Sequence, residues 1–534
     1  MSVVPQGWGA ASMVGWDGRG GRVAAGMTLA AAFTLLGPGA LPAVEAVAAA
    51  GCAGAQHDFN GDGIRDTVIA DPEATVSGKE RAGQIHIVYG GDKGTFLLSQ
   101  DSPNVSDGAE TDDRFGFSYA VYDANLDGCS DIAVGIPFED INVADGPVKD
   151  AGLVHLIYGS PTGIASGGLG TIGFRQGADG KLGGGYEAED WVGYAVAAGT
   201  SASGIPFLVI GAPGEDGAGG EDMGMFHHVY GTGYNVAHVS QDSAGVWEDP
   251  EPNDRFGASI AATDRHFVVG APGESIATTS RNVEFAGAVI AFRPSINTDG
   301  IPAPLFGMGQ GRSGSGDTTA QAGDQYGLSL AMAPYRPAGS TANNDSLLAV
   351  GVPGEDLADT VDAGAVHTYH IKADGTLQHL NWIDQNQPEV EGSAEAGDFF
   401  GQRLAAVNTS PTVTGTAATM RLAVAAPGEE STEEYPEEGG VHILPLLGAP
   451  GAGDSWISPG NGIPAVRAPR MLTGTGLGAS PSSLYVGIPY GPAENRAVHA
   501  FPWNTPNGGA PTQSRRPGEG GIPADGVAFG AQVS

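Results

Sequence analysis

Positive charge is scarce in this chain: 24 lysines and arginines face 61 aspartates and glutamates, a formal net charge of −37 over 534 residues. A field of that sign repels nucleic acid and anionic membrane surfaces and favours cations or basic partners. Cysteine is scarcer still. With only Cys52 and Cys129 present, no paired-cysteine zinc site can be assembled. The chain also lacks a G-x-S-x-G nucleophile turn, an H-E-x-x-H pair and a phosphate-cradling Walker loop, which sets aside the enzyme classes built on them. No segment keeps a helical period, and past residue 50 no apolar run is long enough to cross a bilayer.

Glycine is abundant, with 88 residues beside 36 prolines, yet the apolar share of 41% is that of a foldable protein. The glycines sit in turn-like clusters between short alternating runs rich in Val, Ile and Tyr, the pattern of many short strands. Two signals alternate through these runs. An aromatic-Gly pair stands at Phe115-Gly116, Val192-Gly193, Phe256-Gly257, Tyr326-Gly327 and Phe400-Gly401, weakly at Leu477-Gly478, and again at Phe529-Gly530. A Gly-Ala-Pro-like triplet ends at Pro72, Pro137, Pro213, Pro272, Pro353, Pro427 and Pro489. Such an alternation marks an array of like units. The chain opens on a triplet without its aromatic-Gly and closes on an aromatic-Gly without its triplet, an offset that predicts a ring.

One unit reads as a strand from Phe115, an acidic hairpin over 123–131, a second strand into Gly135-Ile136-Pro137, a loop, a third strand over 152–158 and a poorer fourth. Four antiparallel strands per unit predict an all-β fold over residues 51–534. The expected architecture is a seven-bladed β-propeller, closed by pairing of the C-terminal strand with the N-terminal blade. The first fifty residues differ. Arg19 and Arg22 precede an apolar run over 23–36, and small-residue cleavage sites follow near Ala46, Ala48 or Ala50. Residues 1–50 are therefore read as a signal peptide, and the product as secreted.

The ordered set of Asp-x-Phe-Gly, acidic hairpin, Gly-Ala-Pro and Ala-Gly-Ala-Val-like strand resembles the FG-GAP repeats of the integrin α-subunit propeller over about residues 58–534. Stretches such as Asp58-Phe59-Asn60-Gly61-Asp62-Gly63 and Gln100-Asp101-Ser102-Pro103 look closer still to bacterial secreted FG-GAP proteins. The sixth aromatic-Gly site is the poorest match, because Gly476-Leu477-Gly478 runs almost directly into the next triplet with no acidic loop. The resemblance implies a binding or adhesion module. One phospholipase family carries such repeats beside a separate catalytic domain, for which the sequence leaves no room once leader and propeller are subtracted.

Two loops carry the chemistry. Asp58, Asn60, Asp62, the Ile64 carbonyl and Asp66 fill positions 1, 3, 5, 7 and 9 of one; Asp123, Asn125, Asp127, the Cys129 carbonyl and Asp131 fill those of the other. Oxygens at alternate positions converge in a tight turn, helped by Gly63 and Gly128 at position 6, which is the ligand logic of calcium. The FG-GAP family binds calcium in this loop, so the match implies two structural Ca2+ sites; the competing reading is an Asx-Gly turn that needs no metal. If the loops lie on adjacent repeats, Cys52 and Cys129 can bridge, with two free thiols as the alternative.

One histidine recurs on the third strands, at His86, His155, His227, His367, His442 and His499. Spread around a ring these cannot share an ion, and they read as repeated packing or a solvent-facing position. Tryptophan is too irregular for a sugar-stacking site on every blade. The loops after the triplets, 138–145, 214–222, 354–362 and 428–438, are acidic and are expected opposite the hairpins. They suggest a docking surface for a basic or cation-bridged extracellular protein or cell-surface ligand, or else a solvated rim. The functional expectation is a monomeric, secreted, calcium-stabilised binding or adhesion module with no assigned catalytic residue. The alternative is an extracellular esterase- or phospholipase-like hydrolase with its site in the acidic loops or central channel.

Overall fold

Short apolar runs bounded by glycine turns cannot bury both faces alone, so they pair into small sheets and the sheets stack on one another. In the computed structural model, the described residues are 52–534 except 55, 145, 179, 278–281, 313–315, 317–318 and 452. The expected leader and its cleavage sites lie outside them.

Among the described residues, seven blades built on four antiparallel strands follow one another, and two small hairpins stand beside them, Ile141–Val143 with Gly146–Val148 and Ile276–Ala277 with Asn282–Val283. From the innermost strand outward, blade two is Ser118–Tyr122, Asp131–Ile136, Leu153–Ile157 and Ile172–Phe174. Blades three to seven begin at Val196–Thr200, Ser259–Ala262, Ser329–Tyr335, Arg403–Asn408 and Gly476–Ala479. Blade six gains a short parallel fifth strand, Gly462–Ile463. Blade one closes the ring: its second strand, Thr67–Asp71, pairs outward with Gln84–Val88 and inward with the C-terminal Gln532–Val533, in the register Ala70 to Gln532. The Asp71 carboxylate clamps this seam by accepting the Val527 and Ala528 N–H groups at 2.9 and 2.8 Å.

The core is divided into layers between blades. Ile69, Phe529 and Val533 of blade one pack on Tyr485, Val498 and Ala500 of blade seven, while Val68, Ala70 and Ile85 pack on Ile132, Val134 and Ile136 of blade two. Similar layers fill each remaining interface.

Both sequence signals serve those interfaces. In the aromatic-Gly pairs, Phe115, Val192, Phe256, Tyr326, Phe400 and Phe529 are wholly buried. The glycine that follows adopts a left-handed φ, for example +89° at Gly327 and +94° at Gly401, a conformation that side chains resist. Its N–H bonds its own blade's triplet, as from Gly257 to the Gly270 carbonyl at 3.0 Å. Its carbonyl presses on the previous blade's triplet glycine: a Cβ on Gly211 would lie 2.0 Å from the Gly257 oxygen. Aromatic-Gly and triplet are two halves of one joint.

That joint corrects one assignment. Leu477-Gly478 lies within the innermost strand of blade seven, and the aromatic-Gly position is taken by Thr473-Gly474. Thr473 is fully buried and its N–H bonds the Glu438 carbonyl at 3.1 Å, as Phe400 bonds Ala363. Gly474 has φ +96°.

Candidate functional site

The acidic loops occupy equivalent places in neighbouring blades, 58–66 leading into Thr67–Asp71 and 123–131 joining Ser118–Tyr122 to Asp131–Ile136. Their internal bonding repeats closely. The Asp62 N–H is shared by Asp58 Oδ1 and Asn60 Oδ1 at 3.1 Å each, and the Asp127 N–H by Asp123 Oδ1 and Asn125 Oδ1 at 3.1 and 3.0 Å. Gly63 donates to Asp58 Oδ2 at 2.8 Å, Gly128 to Asp123 Oδ2 at 2.9 Å. Ile64 and Cys129 donate to the position-5 carboxylates of Asp62 and Asp127 at 2.7 and 2.9 Å. The oxygens at positions 1, 3 and 5 are thereby gathered on the loop backbone. Lys93 Nζ lies 2.7 Å from Asp62 Oδ2 at the edge of the first loop.

The position-9 carboxylates do further work. Asp66 accepts the Phe59 and Gly90 N–H groups at 2.9 and 2.8 Å, and Asp131 accepts those of Ala124 and Gly159 at 2.9 Å each. Each fastens its loop to the chain leaving the third strand. Burial, with the neighbouring loop carboxylates, pushes Asp66 up to about 6 and Asp131 up to about 7. The two loops are also tied to each other. Cys52 and Cys129 form a disulfide with Cα atoms 4.9 Å apart, and the Asp58 N–H reaches Ser130 Oγ at 3.1 Å while the Ser130 N–H reaches the Asp58 carbonyl. With both sulfurs bridged, the grouping of Cys52, Cys129 and Asp127 is no thiolate metal site.

The opposite face departs from the expected acidic rim. In five of the seven triplet loops the first carboxylate turns inward: Glu139, Glu215, Glu274, Glu355 and Glu429 accept the Nε2 of Gln100, Gln176, Gln241, Gln310 and Gln385 at 2.5–2.7 Å. Each glutamine follows the last strand of the preceding blade, so the bond crosses an interface. Beside each glutamate lies the aspartate that precedes the aromatic-Gly pair. Asp113, Asp190, Asp254, Asp324 and Asp398 are buried, and each caps the N–H three residues earlier at 2.5–3.0 Å.

Burial raises every carboxyl of these clusters, and the paired carboxyl adds to it at Glu139, Asp190, Glu274, Asp324 and Asp398. Asp113 and Asp254 rise to about 7, Asp190, Asp324 and Asp398 to about 8. Glu139 reaches about 9, Glu274 about 8 and Glu355 about 7, with Glu215 and Glu429 also raised. The sequence reading missed these clusters. Their signal is a Gln thirteen or fourteen residues before the Asp-x-aromatic-Gly, repeated five times. The carboxylates left at the surface include Asp216, Asp359, Glu433, Glu434 and Glu437.

The recurrent histidines are packing residues. All six are buried, and His86, His367 and His442 meet the aromatic of their own blade edge-on, with centroids 5.2, 5.5 and 5.2 Å from Phe529, Tyr326 and Phe400. Burial lowers His86, His155 and His499 to about 4 and His227 and His367 to about 3.

On the ring axis lies a cavity of about 500 Å3 walled by the innermost strands. Arg114, which stands just before an aromatic-Gly pair, is among its lining residues, and the equivalent residues of other blades share its backbone. Arg114, Trp191, Arg255, Gln325, Phe399 and Leu472 are all held at φ between +47° and +57°, an uncommon backbone for non-glycine residues.

Comparison with known proteins agrees with this architecture. No family model matches the chain. Phosphatidylinositol-glycan-specific phospholipase D of Bos taurus is 29% identical over 195 residues, 36% of this chain and 22% of that protein, and its Rattus norvegicus counterpart is 35% identical over 116 residues, 21% and 13%. Integrin alpha-8 of Mus musculus is 36% identical over 115 residues, 20% of this chain and 10% of the integrin. The chain is a β-propeller with integrin α subunits and this phospholipase among its relatives. It spans less than a quarter of the length of the relatives it matches. No helix among the described residues of this propeller is long and apolar enough to cross a membrane.

Proposed function

We propose that this FG-GAP propeller is a secreted binding module, stabilised by two calcium ions in the paired hairpins and offering its triplet face to a basic or cation-bridged extracellular ligand. The observation that carries the reading is the repetition of one oxygen arrangement in both hairpins, with two oxygens sharing a single N–H in each. The donor set fits the ion. Asp58, Asn60, Asp62 and Asp66, and Asp123, Asn125, Asp127 and Asp131, are hard-oxygen ligands, and the carbonyls of Ile64 and Cys129 add to them. Each position-9 oxygen that accepts an N–H keeps a second lone pair for a cation. The Lys93 ammonium at Asp62 supports the same view, since positive charge already sits against the first loop.

Calcium would fix the hairpins of blades one and two, while the loops at the other end of the blades stay free for contact. Thermal melts in calcium and in EDTA test the metal: the melting temperature should fall with EDTA and recover with added calcium, and an unchanged melt defeats the claim. Affinity capture from culture fluid at low and raised salt tests the partner. Salt-sensitive capture of a basic protein is expected; salt-insensitive or absent capture removes the electrostatic reading. Robust turnover of ester or phosphodiester substrates would replace the module with a hydrolase.

A further inference from the structure

The centre of the triplet face has the opposite character to its surroundings. Arg114 and Arg403 both line the mouth of the axial cavity, and neither forms an ion pair among the described residues, although acidic side chains outnumber basic ones by more than two to one. Burial and the carboxylates of Glu73 and Asp71 push up the hydroxyl of Tyr490, another lining residue, and Arg403 and Arg114 oppose them, so both guanidinium groups act on one region of the wall. Arg114 is held there by its left-handed backbone, with φ +57°, and by Phe138, whose ring centre lies 5.1 Å below its guanidinium. Non-glycine residues held in this region are concentrated where geometry matters for function.

An aromatic ledge leads into the same opening. Phe117 meets Phe138 edge-on at 5.4 Å and Tyr194 at 5.0 Å, and Tyr194 continues to Trp191 at 6.3 Å. All four rings are partly exposed, and Phe117 and Tyr194 line the cavity itself. The wall is mixed, with Ile260, Leu328 and Leu330 set beside Ser118, Ser259 and Ser329. A volume of about 500 Å3 lies within the range of small-molecule sites, which combine apolar walls with a few placed polar groups.

We propose that the axial cavity is a binding site for an organic anion with a planar apolar body. The anionic head lies between the Arg114 and Arg403 guanidinium groups, with the Tyr490 hydroxyl donating to it, and the body rests on Phe117 and Tyr194. Guanidinium groups suit a carboxylate or phosphate head because they donate paired N–H bonds, and the partly exposed rings offer a face to a flat ligand. The site shares no residue with the calcium hairpins and uses none of the exposed carboxylates of the outer loops, so either reading can fail without the other.

Isothermal titration of the full chain with 2-naphthoate, 2-naphthyl phosphate, acetate and the neutral 2-naphthylmethanol tests it. One aromatic anion should bind per chain, at least about tenfold more tightly than the neutral alcohol, as expected for one charge-assisted hydrogen bond. Acetate, which lacks the body, should bind much more weakly, and the two naphthyl anions decide between carboxylate and phosphate. Arg403→Gln should weaken binding about tenfold and Arg114→Gln with Arg403→Gln about a hundredfold, while Lys79→Gln, an exposed residue outside the cavity lining, should leave it unchanged. Arg403 is exposed and without an ion pair, so its substitution tests the site even if the double variant misfolds. Equal affinity for anion and alcohol, no binding by either naphthyl anion, or undiminished binding by Arg403→Gln would overturn the proposal.

Discussion

Raising the pH from about 7 to about 9 should weaken the ring, and the five buried Asp–Glu–Gln clusters determine by how much. An unfolded carboxyl titrates near 4. In the folded ring one member of each cluster remains protonated to about 8 or 9: Glu139, Asp190, Glu274, Asp324 and Asp398. At neutral pH the native state therefore holds protons that the unfolded chain has released, and stability must fall as pH rises through the folded values. The buried histidines work the other way. Lowered to about 3 or 4 at His86, His155, His227, His367 and His499, they stay neutral when folded but take up protons when unfolded below about 6.5. Their contribution is lost as the pH falls.

The two sets oppose one another between about 4.5 and 6.5, and above about 7 only the carboxyls act. With five groups on each side the two effects largely cancel, so stability should stay nearly level up to about 6.5 and then drop. Each extra native proton is worth about 1.4 kcal/mol per pH unit, so five acting together approach about 7 kcal/mol per unit as an upper bound. Urea titrations at fixed calcium and at pH 7, 8 and 9 give the slope directly. Glu139→Gln should reduce it by about one proton, or about 1.4 kcal/mol per unit, and added salt should leave it largely intact because the groups are buried. A stability that is flat or rising from pH 7 to 9, or an unaltered slope in Glu139→Gln, would refute the assignment of these protons.

Deleting residues 527–534 removes the buried Phe529 and Val533 and the inner strand of blade one. At about 2–3 kcal/mol for each large buried side chain, the loss should exceed about 4 kcal/mol and lower the single cooperative melt of the whole ring; a melt unchanged from the full chain would contradict the closure. Reducing Cys52–Cys129 opens a loop of 77 residues, worth about 4 kcal/mol on a chain-entropy account, and should lower the urea midpoint of the oxidised protein but not that of Cys52→Ser with Cys129→Ser. Asp131→Ala should destabilise by at least about 2 kcal/mol even in EDTA, because two buried N–H donors lose their acceptor. Asp127→Ala at the exposed loop edge should matter chiefly in calcium, and equal losses for the two variants in EDTA would remove the distinction between stapling and ligating carboxylates.

The ring, its closure and the adjacency of Cys52 and Cys129 were legible because each depends on signals repeated along the chain. A motif was harder to read where chemistry other than the usual filled the same space. Thr473 takes the buried slot that Phe or Tyr fills elsewhere, because the joint requires an N–H for Glu438 and a left-handed glycine at 474, not an aromatic ring. The Gln–Glu–Asp clusters escaped for another reason. Their members come from two blades and three separate loops, so nothing local links Gln241 to Glu274 or Asp254, and a glutamate among acidic loop residues looks like surface until the fold turns it inward. The histidines were ambiguous for the same reason, since strand alternation gives a side but the neighbouring blade decides whether that side is wet.

The seam at blade one also orders events in time. During synthesis each of blades two to seven can assemble from contiguous chain as it appears. Blade one stands with its Thr67–Asp71 strand unpaired on the inner side until residues 527–534 have been made. The first sheet to emerge is thus the last to be finished, and for almost the whole of translation it presents a bare apolar edge, the kind of surface on which neighbouring chains associate. The disulfide and the paired hairpins, formed within the first 131 residues, are placed to hold that unfinished blade against its neighbour until the last strand arrives.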